Sequence, residues 1–216
     1  MFMRNISSGF IVVEGPIGVG KTTLAKKLAN SLRYSLYLEE YKQNPFLEKF
    51  YSDVEKYALA TQLFFLLQRS KDFNKNKIDN FKKNIVTDFF IQKDKIFAET
   101  ILTEKEFKLY LDICHNLDII LPKPDLVIYL QADHDTLLSR IKSRDNRFEK
   151  NISSEYLKRI NDAYTSFFYS YKESPLLIIN TSRVNIHTDN DYSLLLKEIS
   201  KDLKGKSFFN PSTSKG

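Results

Sequence analysis

A glycine-rich segment near the start of the chain carries the clearest chemical signal. Residues 10–29 read FIVVEGPIGVGKTTLAKKLA, in which an apolar run precedes G-x-x-x-x-G-K-T and a helical pattern with a leucine at every fourth position follows it. This order of strand, loop and helix is the context that a phosphate-binding P-loop requires. Backbone N–H groups of such a loop surround phosphate oxygens, and the helix N-terminus adds positive partial charge. The segment therefore predicts a site for a nucleoside triphosphate.

The residues of this loop have expected parts in holding the triphosphate together with Mg²⁺. The Lys21 ammonium is expected to reach the β- and γ-phosphates, and the Thr22 hydroxyl is expected to bind Mg²⁺. The predicted triphosphate-binding residues of the loop are Gly15, Pro16, Ile17, Gly18, Val19, Gly20, Lys21, Thr22 and Thr23. The loop alone leaves open whether the γ-phosphate is hydrolysed, sensed or transferred.

Acidic residues at two predicted strand ends are expected near the γ-phosphate. Glu39 and Glu40 end the second strand, and Asp88 ends the third. Ligands of parallel α/β sheets bind at the carboxyl ends of the strands. Phosphoryl transfer needs one carboxylate that acts through the metal and one group that accepts the proton of the attacking hydroxyl. Because a third-strand acid is the position of the metal-binding aspartate in P-loop proteins, we expect Asp88 to act through Mg²⁺.

Three arginines, Arg140, Arg144 and Arg147, fall within the segment RIKSRDNRFEK, and Glu149 follows them. Guanidinium groups can clamp transferring phosphates and exclude water, so this segment predicts a lid over about residues 141–152. A GTPase would use an N-K-x-D segment directly after a strand to read guanine, and no predicted strand of this sequence is followed by one. The residues therefore favour phosphoryl transfer over GTP hydrolysis.

The elements that must position these residues alternate between strand and helix. The strand-like runs are Phe10–Glu14, Tyr34–Leu38, Asn84–Asp88, Asp125–Leu130 and Leu176–Asn180, and the long helical patterns are Val54–Ile78, Glu104–Ile120 and Ser153–Glu173. Three of the strands are apolar on both faces, as is typical of a buried parallel sheet. The alternation predicts an α/β three-layer sandwich with a five-stranded parallel sheet. We expect one domain over residues 1–203 and a mobile tail over residues 204–216.

The bulk composition indicates which kinds of partner and which cellular compartment fit the chain. The net charge is +6, but no run of five basic residues occurs, so the charge fits a polyanionic nucleotide better than nucleic acid. Cys114 is the single cysteine, which fits a reduced, cytoplasmic setting. No apolar run approaches the roughly 18 residues that a membrane span needs, so no membrane partner is predicted.

Five segments together resemble the deoxynucleoside kinases, and most nearly the bacterial deoxyadenosine and deoxyguanosine kinases. The segments are EGPIGVGKTTLAKKLA, EEYKQNPFLEKFY, TDFFIQKDKIFAE, PKPDLVIYL and RIKSRDNRFEKNISSEYLKRINDAY. The resemblance covers about Phe10 to Asn180 and implies a P-loop NTPase fold. It implies that the γ-phosphoryl group of ATP passes, with Mg²⁺, to the 5′-hydroxyl of a deoxynucleoside in nucleotide salvage. It also implies a homodimer formed through a helical bundle, for which Val54–Ile78 and Glu104–Ile120 are the candidates.

The resemblance also implies roles for individual residues. Glu39 takes the place of the general base because it stands five positions before Asn44 of the Asn-Pro pair. Glu40 stands where the family often has proline, so the choice between the two carboxylates stays open. The implied substrate-binding residues are Glu39, Tyr51 and Glu149 at the sugar, Gln62, Arg69, Asp94 and Phe97 at the base, and Asp88 through Mg²⁺. The implied catalytic residues are Glu39, Asp88, Lys21, Arg140 and Arg144. Arg147 lies one position away from the place where the family has a third lid arginine.

The chemistry of the base-reading residues favours a purine deoxynucleoside, with deoxycytidine second. The Gln62 amide offers both a donor and an acceptor, which suits adenine or cytosine. Arg69 and Asp94 are predicted to form an ion pair across the pocket, where they leave little room for a thymine methyl group. A purely structural salt bridge between two helices is the alternative for this pair.

One position departs from the family pattern. Phe89 stands where the family often has an arginine that touches the 5′-oxygen and the phosphate. We interpret this as a subfamily trait in which Arg147 or another lid arginine supplies the charge. Weakened catalysis is the alternative interpretation.

Two other functions stay open at this point. A nucleoside monophosphate kinase, such as a thymidylate kinase, shares the P-loop and the lid but needs a further basic pair near the acceptor. The segment YKQNPFLEKFY offers Lys42 and Lys49 for this purpose. A catalytically silent nucleotide-binding subunit is supported by Phe89 and opposed by the intact Lys21 and Asp88.

Overall fold

The computed structural model describes residues 9–72, 84–117, 123–144, 146, 148–149 and 151–211. Its strands form one parallel sheet in the order β2-β3-β1-β4-β5-β6. The strands are β1 (Phe10–Glu14), β2 (Ser35–Tyr37), β3 (Ile85–Thr87), β4 (Leu126–Gln131), β5 (Leu176–Asn180) and β6 (Lys206–Phe209). All the predicted strands are present, and the parallel α/β architecture agrees with the prediction from the sequence.

The helices cover both faces of this sheet. They are α1 (Lys21–Leu32), α2 (Leu47–Ser52), α3 (Val54–Asp72), α4 (Lys93–Ile101), α5 (Glu104–Asn116), α6 (His134–Ser143), α7 (Ser154–Ser170) and α8 (Asp189–Ile199). The side chains of Thr103, Asp133, Ser153 and Thr188 cap the N-termini of α5 to α8 by accepting backbone hydrogen bonds. Helix α1 instead follows Gly20, which has no side chain to cap it. Its first N–H groups therefore stay available to an anion.

A hydrophobic core lies on each face of the sheet. Ile11 and Val13 of β1 pack in the same cluster as Leu24 of α1, whereas Val12 packs in the cluster that contains Phe168 of α7. Alternate residues of one strand therefore bury opposite faces, and each fully buried side chain of this size contributes about 1.5–3 kcal/mol. Helix, sheet and helix form the predicted three-layer sandwich.

In the part of the chain that the structure describes, the sheet has six strands, so the prediction of five was wrong. The sixth strand, β6, lies in the segment that the sequence predicted as a mobile tail. The Leu176 N–H donates to the Gly205 carbonyl over 2.7 Å, and Phe209 packs into the core with 5% of its surface exposed. Pairing with β5 therefore orders a short segment whose own sequence gave little strand signal. Residues 212–216 of the predicted tail lie outside the described residues.

The predicted helix bounds differ in places from those of the structure. Helix α3 begins at Val54 as predicted and is described as far as Asp72, so the predicted extension to Ile78 lies outside the described residues. Helix α5 ends at Asn116 rather than at Ile120, and α7 runs from Ser154 to Ser170. The sequence predicted a helix after each strand, and it gave no bounds for α2, α4 and α8. Within the described ranges, no helix combines the length and the apolar character needed to cross a membrane.

Candidate active site

Three neighbouring strands each deliver a carboxylate to the same edge of the sheet. Glu14 is the last residue of β1, Asp88 directly follows β3, and Glu39 lies two residues beyond β2. These strands are adjacent in the order β2-β3-β1, and all of them are parallel. Because parallel strands end together, the three acids lie close to one another beside the P-loop.

The P-loop is packed so tightly that glycine is required at two of its positions. A Cβ atom on Gly15, where φ is 152°, would lie 2.2 Å from the Leu130 carbonyl oxygen. A Cβ atom on Gly18, where φ is 86°, would lie 2.9 Å from a side-chain carbon of Ile141. The backbone of residues 15–20 therefore turns without side-chain interference, as a phosphate cradle requires.

Lys21 folds back over this loop. Its ammonium donates to the carbonyl oxygens of Gly15 and Pro16 over 2.7 and 3.1 Å. Burial lowers the pKa of Lys21, and the nearby Glu14 carboxylate opposes this effect. The positive charge of Lys21 is thus held at the loop itself.

Glu14 was not singled out in the sequence, yet it joins three parts of the site. Its carboxylate accepts hydrogen bonds from the N–H groups of Gly15 and Phe90, both at 2.8 Å, and from the Tyr164 hydroxyl at 3.1 Å. The side chain is fully buried, and this burial raises the pKa of Glu14. An acid that closes an apolar strand was the signal that could have identified it.

The structure brings together Thr22 and Asp88, the two residues that the sequence predicts to bind Mg²⁺. The Thr22 hydroxyl donates to Asp88 Oδ2, while Asp88 Oδ1 accepts the backbone N–H of Glu39 over 2.8 Å. Both groups present oxygen atoms, which Mg²⁺ prefers. Among the residues described, no cluster of three or more His, Cys, Asp or Glu side chains could hold a metal ion by itself. Mg²⁺ is commonly held by one or two protein oxygens together with phosphates and water, and Thr22 and Asp88 could supply those oxygens.

Glu39 lies in a network of buried charges. Its carboxylate accepts from the Arg69 guanidinium through Oε1 and from the Lys93 ammonium through Oε2, and Arg69 also pairs with Asp94. The Glu39 and Arg69 side chains are 16% and 5% exposed. Burial raises the pKa of Glu39, but Lys93 and Arg69 together outweigh burial and lower it to about 2. Glu39 is therefore ionised at neutral pH.

Glu40 has a different environment from Glu39. It is exposed, and its carboxylate accepts from the Gln43 side chain on the adjacent 3₁₀ turn. It does not line either of the two cavities described below. The structure therefore places Glu39, not Glu40, next to the enclosed space.

A cavity of about 390 Å³ separates the P-loop from helices α2, α3, α4 and α7, and we call it the Glu39 cavity. This volume is within the range of small-molecule sites. Its lining includes most of the predicted substrate-binding residues, namely Glu39, Tyr51, Gln62, Asp88, Asp94, Phe97 and Glu149, together with Lys21, Thr22 and Arg144. Arg69 reaches this group through its ion pairs with Glu39 and Asp94. The ion pair between Arg69 and Asp94 is thus present, as predicted.

A second cavity of about 480 Å³ lies on the other side of the P-loop, and we call it the Arg140 cavity. Its lining includes Gly18, Val19, Gly20, Thr23, Arg140, Arg144 and residues 181–187. The Arg140 guanidinium donates to both the hydroxyl and the carbonyl oxygen of Thr181 over 2.8 Å. Arg144 lines both cavities, whereas Arg147 lies outside the described residues.

Phe89, the departure from the family pattern, is buried beneath the charge network. It is 3% exposed, its ring centroid is 5.6 Å from that of Tyr37, and the Arg69 guanidinium lies 5.7 Å from the centroid of its ring. The Phe89 ring thus packs against the Arg69 guanidinium, and this interaction of a cation with an aromatic face is favourable.

The sequence did not single out several residues that line the Glu39 cavity. They are Tyr41, Leu47, Phe50, Thr61, Phe65, Lys93, Tyr156 and Tyr164. Lys93 had a usable signal, because it directly precedes Asp94 and lies five positions after the third-strand acid. The aromatic residues had none, because nothing in their spacing separates cavity lining from ordinary core.

Comparisons with known proteins agree with this geometry. A family model described as "Deoxynucleoside kinase" matches residues 11–203. A deoxyguanosine kinase of Bacillus subtilis is 38% identical over 72% of this chain and 76% of its own length. A deoxyadenosine kinase of Lactobacillus acidophilus is 32% identical over 90% of this chain and 96% of its own length. The solved structure of a deoxyadenosine kinase from M. mycoides with bound dATP superposes with a TM-score of 0.76 at 25% identity, over 88% of this chain and 99% of that one.

Proposed function

The chain belongs to the deoxynucleoside kinase family and is an ATP-dependent phosphotransferase, and we propose that Glu39 is the base that deprotonates the 5′-hydroxyl of a purine deoxynucleoside. The single observation that carries this proposal is the position of the Glu39 carboxylate. The carboxylate is ionised and lines the Glu39 cavity. The backbone N–H of Glu39 donates to Asp88, and the same Asp88 contacts Thr22 of the P-loop. A hydroxyl beside Glu39 is therefore also beside the γ-phosphate position.

The reaction follows from this arrangement. The 5′-hydroxyl gives its proton to Glu39 as its oxygen forms a bond to the γ-phosphorus, and the bond to the β-phosphate oxygen breaks with its electron pair leaving on ADP. Lys21 leaves the carbonyl oxygens of its loop and binds the phosphates, while Arg144, which lines both cavities, neutralises charge on the transferred group. Mg²⁺, when it is bound at Thr22 and Asp88, neutralises charge on the β- and γ-phosphates.

We assign the reading of the base to the far end of the Glu39 cavity. Gln62 is 3% exposed and presents an amide edge, and Phe97 supplies an aromatic face for the base. We propose that the Arg69–Asp94 pair leaves little room for a thymine methyl group. The names of the two relatives, a deoxyguanosine kinase and a deoxyadenosine kinase, support a purine acceptor.

We assign the sugar to the side of the cavity formed by Tyr51 and Glu149. Glu149 Oε2 and the Tyr156 hydroxyl are buried and have no hydrogen-bond partner among the described residues. Such groups are costly unless a ligand or water satisfies them, and a deoxyribose 3′-hydroxyl can donate to a carboxylate. Burial raises the pKa of Tyr51 well above its usual value, so its phenol stays protonated and able to donate.

We propose that Arg140 and Arg144, with Arg147, close over the triphosphate as a lid. Arg140 lies on α6 and Arg144 directly follows it, so both approach the P-loop from the same side. A guanidinium binds phosphate oxygens in pairs, which orients the group as well as neutralising it.

A panel of acceptors tests this function. The purified chain is incubated with ATP, Mg²⁺ and each of the deoxynucleosides, together with the corresponding monophosphates, and the labelled products are separated. We expect 5′-monophosphates of deoxyadenosine and deoxyguanosine first, deoxycytidine second, and little turnover of thymidine. Preferred turnover of thymidine would overturn the assignment of the base-reading residues. Turnover of a monophosphate instead of a nucleoside would overturn the role of Glu39.

We further propose a cytoplasmic homodimer in which α3 and α5 contact the partner. Leu67 of α3 is 47% exposed, and Leu109 and Leu111 of α5 are 47% and 39% exposed. Large apolar side chains that are exposed on neighbouring helices favour association. Light scattering after size exclusion should give twice the mass of 25.3 kDa, and the monomer mass would overturn the proposal.

A further inference from the structure

Lys93 is a buried cation at the position where the proposed reaction takes place. It is the first residue of α4, its side chain is 11% exposed, and its ammonium donates to Glu39 Oε2 inside the Glu39 cavity. Lys95, two residues further along the same helix, is exposed. The helix therefore directs one lysine into the cavity and the other towards the surface.

Arg69 and Lys93 share the Glu39 carboxylate but are held differently. The Arg69 guanidinium spans two carboxylates, those of Glu39 and Asp94, and lies over the rings of Phe65 and Phe89. Lys93 reaches Glu39 from the opposite oxygen on a flexible stem with three donor hydrogens. Arg69 is therefore fixed in place, whereas Lys93 can change its acceptor by rotating its side chain.

Lys93 lines the same cavity as Lys21 and Thr22 of the P-loop, so it also faces the phosphate side. After burial and Glu14, Lys93 is among the causes that set the pKa of Lys21, which it lowers. Lys93 also opposes the effect of burial on Glu14 at the end of β1. Lys93 therefore interacts with Glu39, Glu14 and Lys21, which belong to the proposed base and to the phosphate cradle.

We propose that Lys93 is a catalytic residue whose ammonium binds the phosphoryl group in transit between ATP and the 5′-oxygen. This inference rests on the proposed function of Glu39. As the hydroxyl proton moves to Glu39, the 5′-oxygen bonds to the γ-phosphorus and the electron pair of the broken bond leaves on ADP. Lys93, already beside Glu39, donates to a non-bridging oxygen of that phosphoryl group and keeps its proton throughout.

The proposal also accounts for Phe89. The sequence suggested that a lid arginine replaces the charge absent at this position. The structure places the Lys93 ammonium at the Glu39 carboxylate from α4, four residues further along the chain, while Phe89 supports Arg69. A charge at the reacting atoms is thus retained without an arginine directly after Asp88.

Steady-state kinetics of four variants test this role. Lys93→Met removes the charge, Lys93→Arg retains it, Lys93→Gln retains a donor to Glu39, and Lys95→Met is the matched control on the same helix. Each is assayed with ATP and the deoxynucleoside that the wild-type chain turns over best, and thermal melting confirms that each variant is folded. If Lys93→Met does not fold, Lys93→Gln takes its place in the comparison.

Loss of one charged donor to a transition state lowers kcat by about 10²-fold or more. We expect Lys93→Met and Lys93→Gln to lose about that much kcat with little change in the KM for the deoxynucleoside, Lys93→Arg to recover at least about tenfold, and Lys95→Met to match the wild-type chain. A fall in kcat of less than about tenfold, a loss expressed mainly in KM, or no recovery in Lys93→Arg would each overturn the role of Lys93. These results leave the function of Glu39 intact, whereas a wild-type chain with no deoxynucleoside turnover would overturn both proposals.

Discussion

The Glu39 cavity and the Arg140 cavity are held in shape by different kinds of contact. The Glu39 cavity is organised by side chains from distant parts of the chain, since Arg69 of α3 joins Glu39 after β2 to Asp94 of α4. The Arg140 cavity is organised by backbone, with the P-loop turning at Gly18 and Gly20 and Arg140 anchored to Thr181. A cavity of paired charges depends on every partner being present, whereas a backbone cradle depends on local turn geometry. Substitutions in the Glu39 cavity should therefore disturb several charged partners at once, whereas substitutions in the Arg140 cavity should act through the local backbone.

The largest effect is expected from Glu39→Gln. A general base contributes about 10²–10⁴-fold, so kcat should fall by about 10³-fold while ATP binding is retained. Steady-state kinetics measures the first quantity and titration with a fluorescent ATP analogue the second. Glu40→Gln is the matched control and should stay near the wild-type rate. A normal rate in Glu39→Gln together with a dead Glu40→Gln would move the base by one position.

Lys21 lines the Glu39 cavity, but its ammonium is bonded to the backbone of the P-loop. Lys21→Met should lower kcat/KM for ATP by about 10²–10³-fold, because it removes one charged donor from the phosphates. Binding of the deoxynucleoside, measured by calorimetry without ATP, should change little because Lys21 bonds to the loop carbonyl oxygens in the described structure. Lys26→Met, which changes an exposed residue of the same helix, is the control. Equal losses in ATP and deoxynucleoside binding would show that the two cavities do not act separately.

Arg69→Met tests the paired character of the Glu39 cavity through stability. Removing the guanidinium leaves Asp94 without this partner and Glu39 with Lys93, and breaking a buried pair of this kind costs about 3–5 kcal/mol. Urea denaturation measures the free energy of unfolding, and the exposed Lys71→Met on the same helix should leave it unchanged. A loss below about 1 kcal/mol would mean that the network behaves like a surface salt bridge.

The smallest effect is expected from pH. The pKa of Glu39 is lowered from 4.5 to about 2 in the folded chain, so its ion pairs contribute full stability above about pH 4.5. That contribution is lost as the pH falls from about 4.5 to about 2, because the folded chain must then bind a proton. Denaturation at a series of pH values should show a shallower acid loss in Glu39→Gln than in the wild-type chain. Parallel pH curves for the two chains would contradict the assignment of this pKa.

The difference between the cavities also explains what the sequence could predict. The P-loop is local, so Gly15 to Thr23 were recognisable from spacing alone, and the strand-end position of Asp88 followed from the parallel sheet. The Arg69–Asp94 pair was predicted because the resemblance brought two separate segments together. That Arg69 also reaches Glu39, and that Lys93 reaches it from the other side, depends on how α3 and α4 pack, which no local pattern encodes. Glu14 was missed although it ends an apolar strand, which is the same signal that pointed to Asp88.

The last strand, β6, limits where the chain can be truncated. Cutting after residue 203, where a family boundary would suggest, removes β6 and with it Phe209 from the core. The N–H and C=O groups of β5 that now pair with residues 205–209 would become an open sheet edge, which invites pairing with other chains. A shortened version is therefore expected to precipitate during expression, and a purification tag belongs beyond residue 211 rather than in place of these residues.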